Sequence, residues 1–215
     1  SVPRPGEVSL AHNGVLFLDE LPEFARDTLE VLRQPLEDGK VTVSRVHGSA
    51  SYPCKFMLVA AMNPCKCGYL GHPTRECTCT PSAVDAYRRR ISGPLLDRID
   101  LHVEALPVEY DDLASELGGE PSADIRARVM AARALQQERY KALRGVRCNA
   151  QLPSSALRRY CRMTPAAEKI LRGAFERLGY SARAYDRILR VARTVADLDE
   201  SEVLDAAHLS EALQY

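Results

Sequence analysis

The sequence lacks the two features that mark membrane and secreted proteins. It contains no run of about 18 apolar residues, the length that a membrane-spanning helix needs. Nor does it open with a charged-then-apolar leader of the kind that directs secretion. We therefore expect a cytoplasmic protein that has no membrane partner.

Net charge is also missing, since 29 Lys and Arg residues balance 29 Asp and Glu residues. The balance hides a segregation of sign, because residues 109–124 are rich in acids whereas residues 126–147 are strongly basic. An apolar content of 46% in 215 residues is enough for one large or two small globular domains. Composition therefore argues against a disordered chain.

A third absence concerns nucleotide binding. The pattern Gly-x-x-x-x-Gly-Lys-Ser/Thr, whose backbone N–H groups wrap phosphates, does not occur, and the chain begins at Ser1 without methionine. If the chain belongs to a nucleotide-hydrolysing protein of this type, we expect that loop to lie upstream of Ser1.

What is present is an acidic pair at the end of an apolar run. Four apolar residues, Val15–Leu18, precede Asp19 and Glu20, and an unbroken run predicts a strand covered on both faces of a parallel sheet. At the carboxyl end of such a strand, Asp19 can hold a hydrated Mg²⁺ on a nucleotide and Glu20 can polarise the attacking water. A buried strand ending in a solvated acidic turn is the alternative.

The next segments predict a hairpin and a second buried strand. Alternation in residues 40–46, with a return arm over residues 51–54, predicts a β-hairpin with Arg45 and His47 near its tip. The apolar run of residues 56–62 predicts a strand that ends at Asn63. An amide beside the carboxylates can hold the water or the γ-phosphate, although a turn residue before Pro64 is the alternative.

Four of the seven cysteines form two Cys-x-Cys pairs within a loop that is rich in Gly and Pro. Two thiolate pairs can converge on one tetrahedral Zn²⁺ and hold together an insertion that is too polar to fold by itself. The commoner spacing is Cys-x₂-Cys, so free thiols, a redox pair, or His72 in place of one cysteine stay open. The predicted ligands are Cys65, Cys67, Cys77 and Cys79.

Arg98 directly precedes a third predicted strand, because apolar and polar residues alternate over residues 99–104. At a subunit edge, a planar cation in this place can reach the nucleotide of a neighbouring subunit and stabilise the transferring phosphoryl charge. Surface pairing of Arg98 with Asp97 or Asp100 is the alternative.

The second half of the chain has helical periodicity. Ser122 is predicted to cap a helix that buries an apolar face, Thr164-Pro165 to begin a second long helix that ends at Gly179, and Ser181 to cap a third. Short helices are predicted over residues 153–161 and 205–215. The apolar face of the first helix comprises Ile125, Val129, Ala132 and Leu135.

Four motifs, in this order, resemble those of the magnesium-chelatase-like AAA+ ATPases, and the cysteine insert after Asn63-Pro64 resembles that of the ComM/YifB competence branch. The motifs are residues 14–23, 33–39, 60–64 and 93–100. The resemblance implies an α/β fold, in which a partial AAA+ P-loop parallel sheet with a β-hairpin and a cysteine-rich insert is followed by an all-α helical lid domain. It places the core in residues 1–108, the linker in 109–121 and the lid in 122–215.

The same resemblance implies functional roles, with ATP and Mg²⁺ as cofactors and a hexameric ring as the assembly. The hairpin would face a central pore, where Arg45 and His47 would contact DNA. Arg183, at a helix start, matches the sensor 2 position, although a solvated arginine is the alternative. The remaining roles are Walker B for Asp19 and Glu20, sensor 1 for Asn63, and arginine finger for Arg98.

Three functions follow as hypotheses. The first is an ATP-driven motor on branched or single-stranded DNA, with branch migration or helicase activity in recombination or natural transformation. The second is a remodelling ATPase of the magnesium-chelatase I-subunit type. The third is a non-catalytic, zinc-stapled binding module, because a chain without the Walker A segment is predicted to be inactive alone.

Overall fold

The computed structural model describes residues 4–45, 48–108 and 119–215. The chain divides into two compact units, residues 1–99 and 100–215. The predicted linker, residues 109–121, falls mostly outside the described residues. None of the helices among the described residues is long and apolar enough to cross a membrane.

The sheet of the first unit consists of two parallel strands, β1 (Val15–Leu18) and β4 (Met57–Ala60). Their register runs from Val15 opposite Met57 to Leu18 opposite Ala60, so both strands end at the same edge. The predicted parallel pair is therefore confirmed.

One expectation about β1 is wrong for the described residues, because only one face of this sheet is covered. Leu16 and Leu18 pack against the apolar core of the unit, whereas Val15 and Phe17 are 57% and 58% exposed. Side chains alternate between the two faces of a strand, and the covering helices lie on one face. That core contains Leu21, Leu29, Leu32, Ile91 and Leu95.

A short helix α1 (Glu7–Leu10) precedes β1, and a 3₁₀ turn leads from β1 into α2 (Arg26–Val31) and α3 (Arg33–Asp38). Pro35 does not end this helical segment. It lies in the first turn of α3, where backbone N–H groups have no helical acceptor and a missing N–H costs little. Gly39 ends α3 instead, with the left-handed φ of 63° that favours glycine.

The predicted hairpin is confirmed as β2 (Lys40–Arg45) paired antiparallel with β3 (Gly48–Pro53). The return arm begins at Gly48, earlier than predicted, and Arg45 opposite Gly48 is the last pair. His47 lies outside the described residues.

After β4, an irregular loop carries the cysteines and leads to two short helices, α4 (Pro81–Arg88) and α5 (Gly93–Leu96). The predicted third strand is wrong, because residues 100–108 have no regular structure and Val103 is 73% exposed. A strand is stable only when its backbone groups pair with a neighbour, and within the described residues no strand pairs with this segment.

From residue 122 onward the second unit is built of helices, as predicted, and they pack around the long helix that begins at Ala182. The helices are α6 (Ser122–Tyr140), α7 (Ser154–Tyr160), α8 (Pro165–Leu178), α9 (Ala182–Leu198) and α10 (Ala206–Ala212). The predicted caps on Thr164 and Ser181 are present, since each hydroxyl accepts an N–H in the first turn of its helix.

Helix α6 differs from prediction in two respects. Pro121 occupies the cap position and no side chain caps this helix. Of the predicted apolar face only Ala132 is buried, whereas Ile125, Val129 and Leu135 are 42–43% exposed. The buried side chains are four residues apart and lie in the second half of α6, where it packs on α9. They are Ala132, Gln136 and Tyr140.

Candidate functional site

The predicted carboxylates and the predicted amide lie at one edge of the two-stranded sheet. Asp19 and Glu20 directly follow β1, and Asn63 follows β4 by three residues; all three are exposed. The ladder continues past the strand ends, because Ala61 N–H donates to the Leu18 carbonyl at 2.9 Å. The parallel register thus brings the ends that carry these residues to the same edge, and two carboxylates and an amide project into solvent there.

Glu20 has a strained backbone. Its φ of 50° and ψ of 47° lie in the left-handed region, which costs a residue with a Cβ about 1–2 kcal/mol. Three hydrogen bonds hold it there: Glu20 N–H donates to Asp19 Oδ1 at 2.9 Å, Glu23 N–H donates to the Glu20 carbonyl at 2.7 Å, and Leu21 N–H donates to the Ala61 carbonyl at 2.9 Å. Strain of this kind is concentrated at functional sites.

Tyr87 on α4 is a site residue that the sequence reasoning missed. Its side chain is buried, and its phenol lies near the backbone of Asn63. Burial is the main cause that raises the pKa of Tyr87, and the carboxylates of Glu23 and Glu20 raise it further. The buried phenol of α4 therefore lies next to the loop that carries Asn63. The one signal in the sequence was the spacing of Val84 and Tyr87, which are three residues apart and therefore lie on the same face of a helix.

Arg90 holds the turn that follows the carboxylates. Its Nη1 donates to the Pro22 carbonyl and to Glu23 Oε2, each at 2.9 Å. The turn after β1 is therefore tied to the end of α4 by a charged side chain as well as by the sheet.

Arg98 does not pair with Asp97 or Asp100, the two alternatives. Its Nη2 lies 2.5 Å from Glu37 Oε2 on α3, and its Nη1 donates to the Pro94 carbonyl at 2.6 Å. Only 13% of the Arg98 side chain is exposed. Within this chain Arg98 is thus held against its own unit, directly after α5.

The four cysteines of the insert converge on one point. The Sγ atom of Cys65 lies 3.4 Å from that of Cys67 and 3.6 Å from that of Cys77, and the Cys67–Cys77 separation is 3.5 Å. With Cys79 included, all four sulfur atoms lie within 4.8 Å of one another. Four thiolates at about 2.3 Å from Zn²⁺ would be about 3.8 Å apart, so the sulfur geometry fits a tetrahedral ion.

The surroundings of the sulfurs favour charge on some of them. The backbone N–H of Tyr69 is the main cause that lowers the pKa of Cys67 to about 5. Cys79 N–H lowers the pKa of Cys77, but burial and the neighbouring sulfurs outweigh it and raise that pKa to about 12. A divalent cation removes this conflict because it allows all four sulfurs to be thiolates.

His72 does not replace a cysteine. Its Nδ1 accepts the backbone N–H groups of Thr74 and Arg75, each at 3.2 Å. The sulfur atoms that converge are those of the four cysteines, and each of these cysteines is a free thiol and not part of a disulfide.

Two more predicted site residues lie on the hairpin and in the helical unit. Arg45 ends β2 at the tip of the hairpin. Arg183 is an exposed residue in the first turn of α9, in the second unit, at the helix end that Ser181 caps. Their predicted roles remain predictions.

Two family profiles cover the chain. The profile described as "Magnesium chelatase, subunit ChlI" matches residues 1–113, and that of the "ChlI C-terminal" part matches residues 119–215.

Individual relatives match along the whole chain. YifB of Escherichia coli is 46% identical and competence protein ComM of Haemophilus influenzae is 44% identical, each over all of this chain. An uncharacterized protein of Mycobacterium tuberculosis is 43% identical over 91% of it. The chain spans 41% of the length of YifB and of ComM, and 38% of the mycobacterial protein. This chain therefore belongs to the magnesium-chelatase family, in the branch that contains YifB and ComM.

Proposed function

We propose that the chain is the part of an ATP-hydrolysing AAA+ motor that contains Walker B, the hairpin, sensor 1 and the lid, and that the motor acts on DNA as a hexameric ring. The observation that carries the proposal is the exposed pair Asp19 and Glu20 beside Asn63, with Glu20 held in a strained backbone conformation. Three hydrogen bonds, one of them to the Asp19 carboxylate, hold Glu20 in this conformation at the carboxyl ends of the parallel strands, where open α/β sheets bind ligands.

The residues present fit a magnesium nucleotide. Mg²⁺ prefers oxygen ligands and keeps several of its waters, so one exposed carboxylate at a strand end is sufficient protein ligation. Asp19 would hold this hydrated ion, and one of its oxygens already accepts the Glu20 N–H. When bound, Mg²⁺ neutralises charge on the phosphates.

Glu20 would accept a proton from the attacking water. Its carboxylate is exposed, and its backbone geometry is set independently of any ligand by the contacts of residues 19, 21 and 23. Asn63 would orient the water or the γ-phosphate. Arg98 would act on the nucleotide of a neighbouring subunit, and Arg183 would add positive charge at the phosphates.

The name of the competence protein ComM and the shape of the hairpin support DNA as the substrate. A two-stranded hairpin with a terminal arginine can track a phosphate backbone inside a ring. The specific activity we propose is branch migration or strand displacement. A remodelling ATPase of the chelatase type is the second candidate, because the matching profile is that of a magnesium chelatase subunit.

The test is Glu20→Gln in the full-length protein, with ATP binding, ring assembly and hydrolysis measured separately. We expect binding and assembly to persist while hydrolysis falls at least about a hundredfold, because only water activation is lost. The matched control is Glu200→Gln, since Glu200 is also exposed and also has a left-handed backbone, with a φ of 55°.

Near-normal turnover of Glu20→Gln would remove Glu20 from the base role. Movement of three- and four-way DNA junctions by the wild-type protein, dependent on ATP, separates the DNA motor from the chelatase-type alternative.

A further inference from the structure

Helix α3 makes contact both with Arg98 and with the base of the hairpin. Glu37, in its last turn, accepts from Arg98 Nη2 at 2.5 Å. Gly39, which ends α3, is followed at once by Lys40, the first residue of β2. The same six-residue helix therefore joins a predicted catalytic side chain to a predicted DNA-contacting element.

Both arms of the hairpin are anchored to this helix. The first arm continues directly from Gly39. Beyond the end of the second arm, Cys54 donates its N–H to the Gly39 carbonyl at 2.9 Å, and its thiol lies 3.9 Å from the Pro35 carbonyl. A displacement of the hairpin base must therefore displace α3, or break the contacts at Gly39.

Arg98 depends strongly on its contact with Glu37. Its side chain is 13% exposed, and its Nε is buried without a hydrogen-bond partner among the described residues. The Glu37 carboxylate forms an ion pair with the Nη2 end of the guanidinium, which has five N–H donors in all. Because a guanidinium is a rigid planar fork, one carboxylate contact together with the Pro94 carbonyl sets its orientation.

We propose that Glu37 is a positioning residue that couples the hairpin to Arg98, so that engagement of DNA by the hairpin changes the orientation of the arginine finger. The inference rests on the proposed function, in which Arg98 completes the nucleotide site of a neighbouring subunit. The rate of ATP hydrolysis would then respond to DNA, and the Glu37–Arg98 ion pair would be the contact through which a movement of the hairpin reaches Arg98.

The test uses the full-length protein and compares ATP hydrolysis with and without a four-way DNA junction. For Glu37→Gln we expect an unchanged KM for ATP and unchanged ring assembly, because the substitution alters none of Asp19, Glu20 and Asn63 and keeps the size and shape of the side chain. The stimulation of kcat by DNA should fall at least about fivefold, the lower end of usual coupling between sites. Glu37→Asp keeps the charge and should restore part of the stimulation.

Two further variants separate coupling from a structural defect. If Glu37 acts through Arg98, the double variant Glu37→Gln/Arg98→Ala should be no less active than Arg98→Ala alone. Glu168→Gln removes the exposed Arg172–Glu168 ion pair of 2.9 Å in the helical unit and should leave stimulation unchanged. An unchanged melting temperature for Glu37→Gln checks that the fold is intact.

The possible failures of the two proposals are distinguishable. Normal DNA stimulation in Glu37→Gln, together with an Arg98→Ala protein whose turnover is strongly reduced but still measurable, overturns the coupling and leaves the proposed function standing. Normal turnover in Arg98→Ala overturns the arginine-finger role, and the coupling with it. A double variant much less active than Arg98→Ala also overturns the inference, because Glu37 would then act independently of Arg98.

Discussion

Replacing one cysteine of the insert should abolish metal binding by the whole cluster. We choose Cys67→Ser because Cys67 lies within 3.4–3.5 Å of two other sulfurs and, of the four, its pKa is the one lowered to about 5. It is therefore the thiolate that is most available to an incoming ion at neutral pH.

The size of the expected effect follows from the sulfur geometry. The separations of 3.4–3.6 Å among the sulfurs of Cys65, Cys67 and Cys77 differ from a zinc tetrahedron edge of about 3.8 Å by only a few tenths of an ångström, and the Cys79 sulfur lies within 4.8 Å of the others. Structural zinc sites bind with apparent free energies of about 10–16 kcal/mol. A site that loses one of four ligands must hold the ion with three thiolates and a water or hydroxyl, and we expect stoichiometry to fall from about one Zn²⁺ per chain to near zero after dialysis.

The assay is elemental analysis of protein purified under reducing conditions, with a thiol titration of the native state. Cys148→Ser is the matched control, because Cys148 lies in the helical unit and is not in the converging group. Wild-type protein that carries no zinc and whose four insert thiols all titrate freely would refute the reasoning. Limited proteolysis should cut residues 65–79 of Cys67→Ser faster than the same loop of the wild type, since the ion is what holds the two Cys-x-Cys pairs together.

Two further predictions concern DNA and stability. In the full-length protein, Arg45→Ala should keep basal ATP hydrolysis but lose its stimulation by DNA. The slope of log affinity for DNA against log salt concentration should fall by roughly one unit. His47→Ala should also uncouple ATP hydrolysis from DNA movement. An Arg45→Ala protein that moves DNA junctions normally would contradict the hairpin role. In the helical unit, the fully buried Asp197 accepts from Arg139, Arg193 and Asn149. Asp197→Ala leaves buried guanidinium charge uncompensated and should lower the free energy of unfolding by about 3–5 kcal/mol in denaturant titrations; a loss below about 1 kcal/mol would show that the network contributes little.

The sequence was sufficient where structure is set by neighbouring residues. Helix starts at Thr164 and Ser181 were predictable because a cap acts within one turn of its own helix. The two strands of the sheet were predictable because each is a short apolar run bounded by turn residues. The order of the motifs was enough to indicate the family and the candidate residues, since these are linear patterns.

Only the tertiary structure decided the contacts between distant segments. Glu37 and Arg98 are 61 residues apart, and no local pattern favours Glu37 over Asp97 or Asp100 as the partner. The burial of one sheet face and the exposure of Val15 and Phe17 also depended on which helices pack there.

The same reason applies to the sites themselves. Four sulfurs converge, rather than three sulfurs and an imidazole, and His72 Nδ1 instead accepts the backbone N–H groups of Thr74 and Arg75 within the loop. The left-handed backbone of Glu20 is maintained partly by the carbonyl of Ala61, 41 residues further along the chain. Sequence determined which chemical groups are available and which local elements carry them. The path of the chain decided which groups meet, because those contacts gain their energy from burial and hydrogen bonds that exist only after folding.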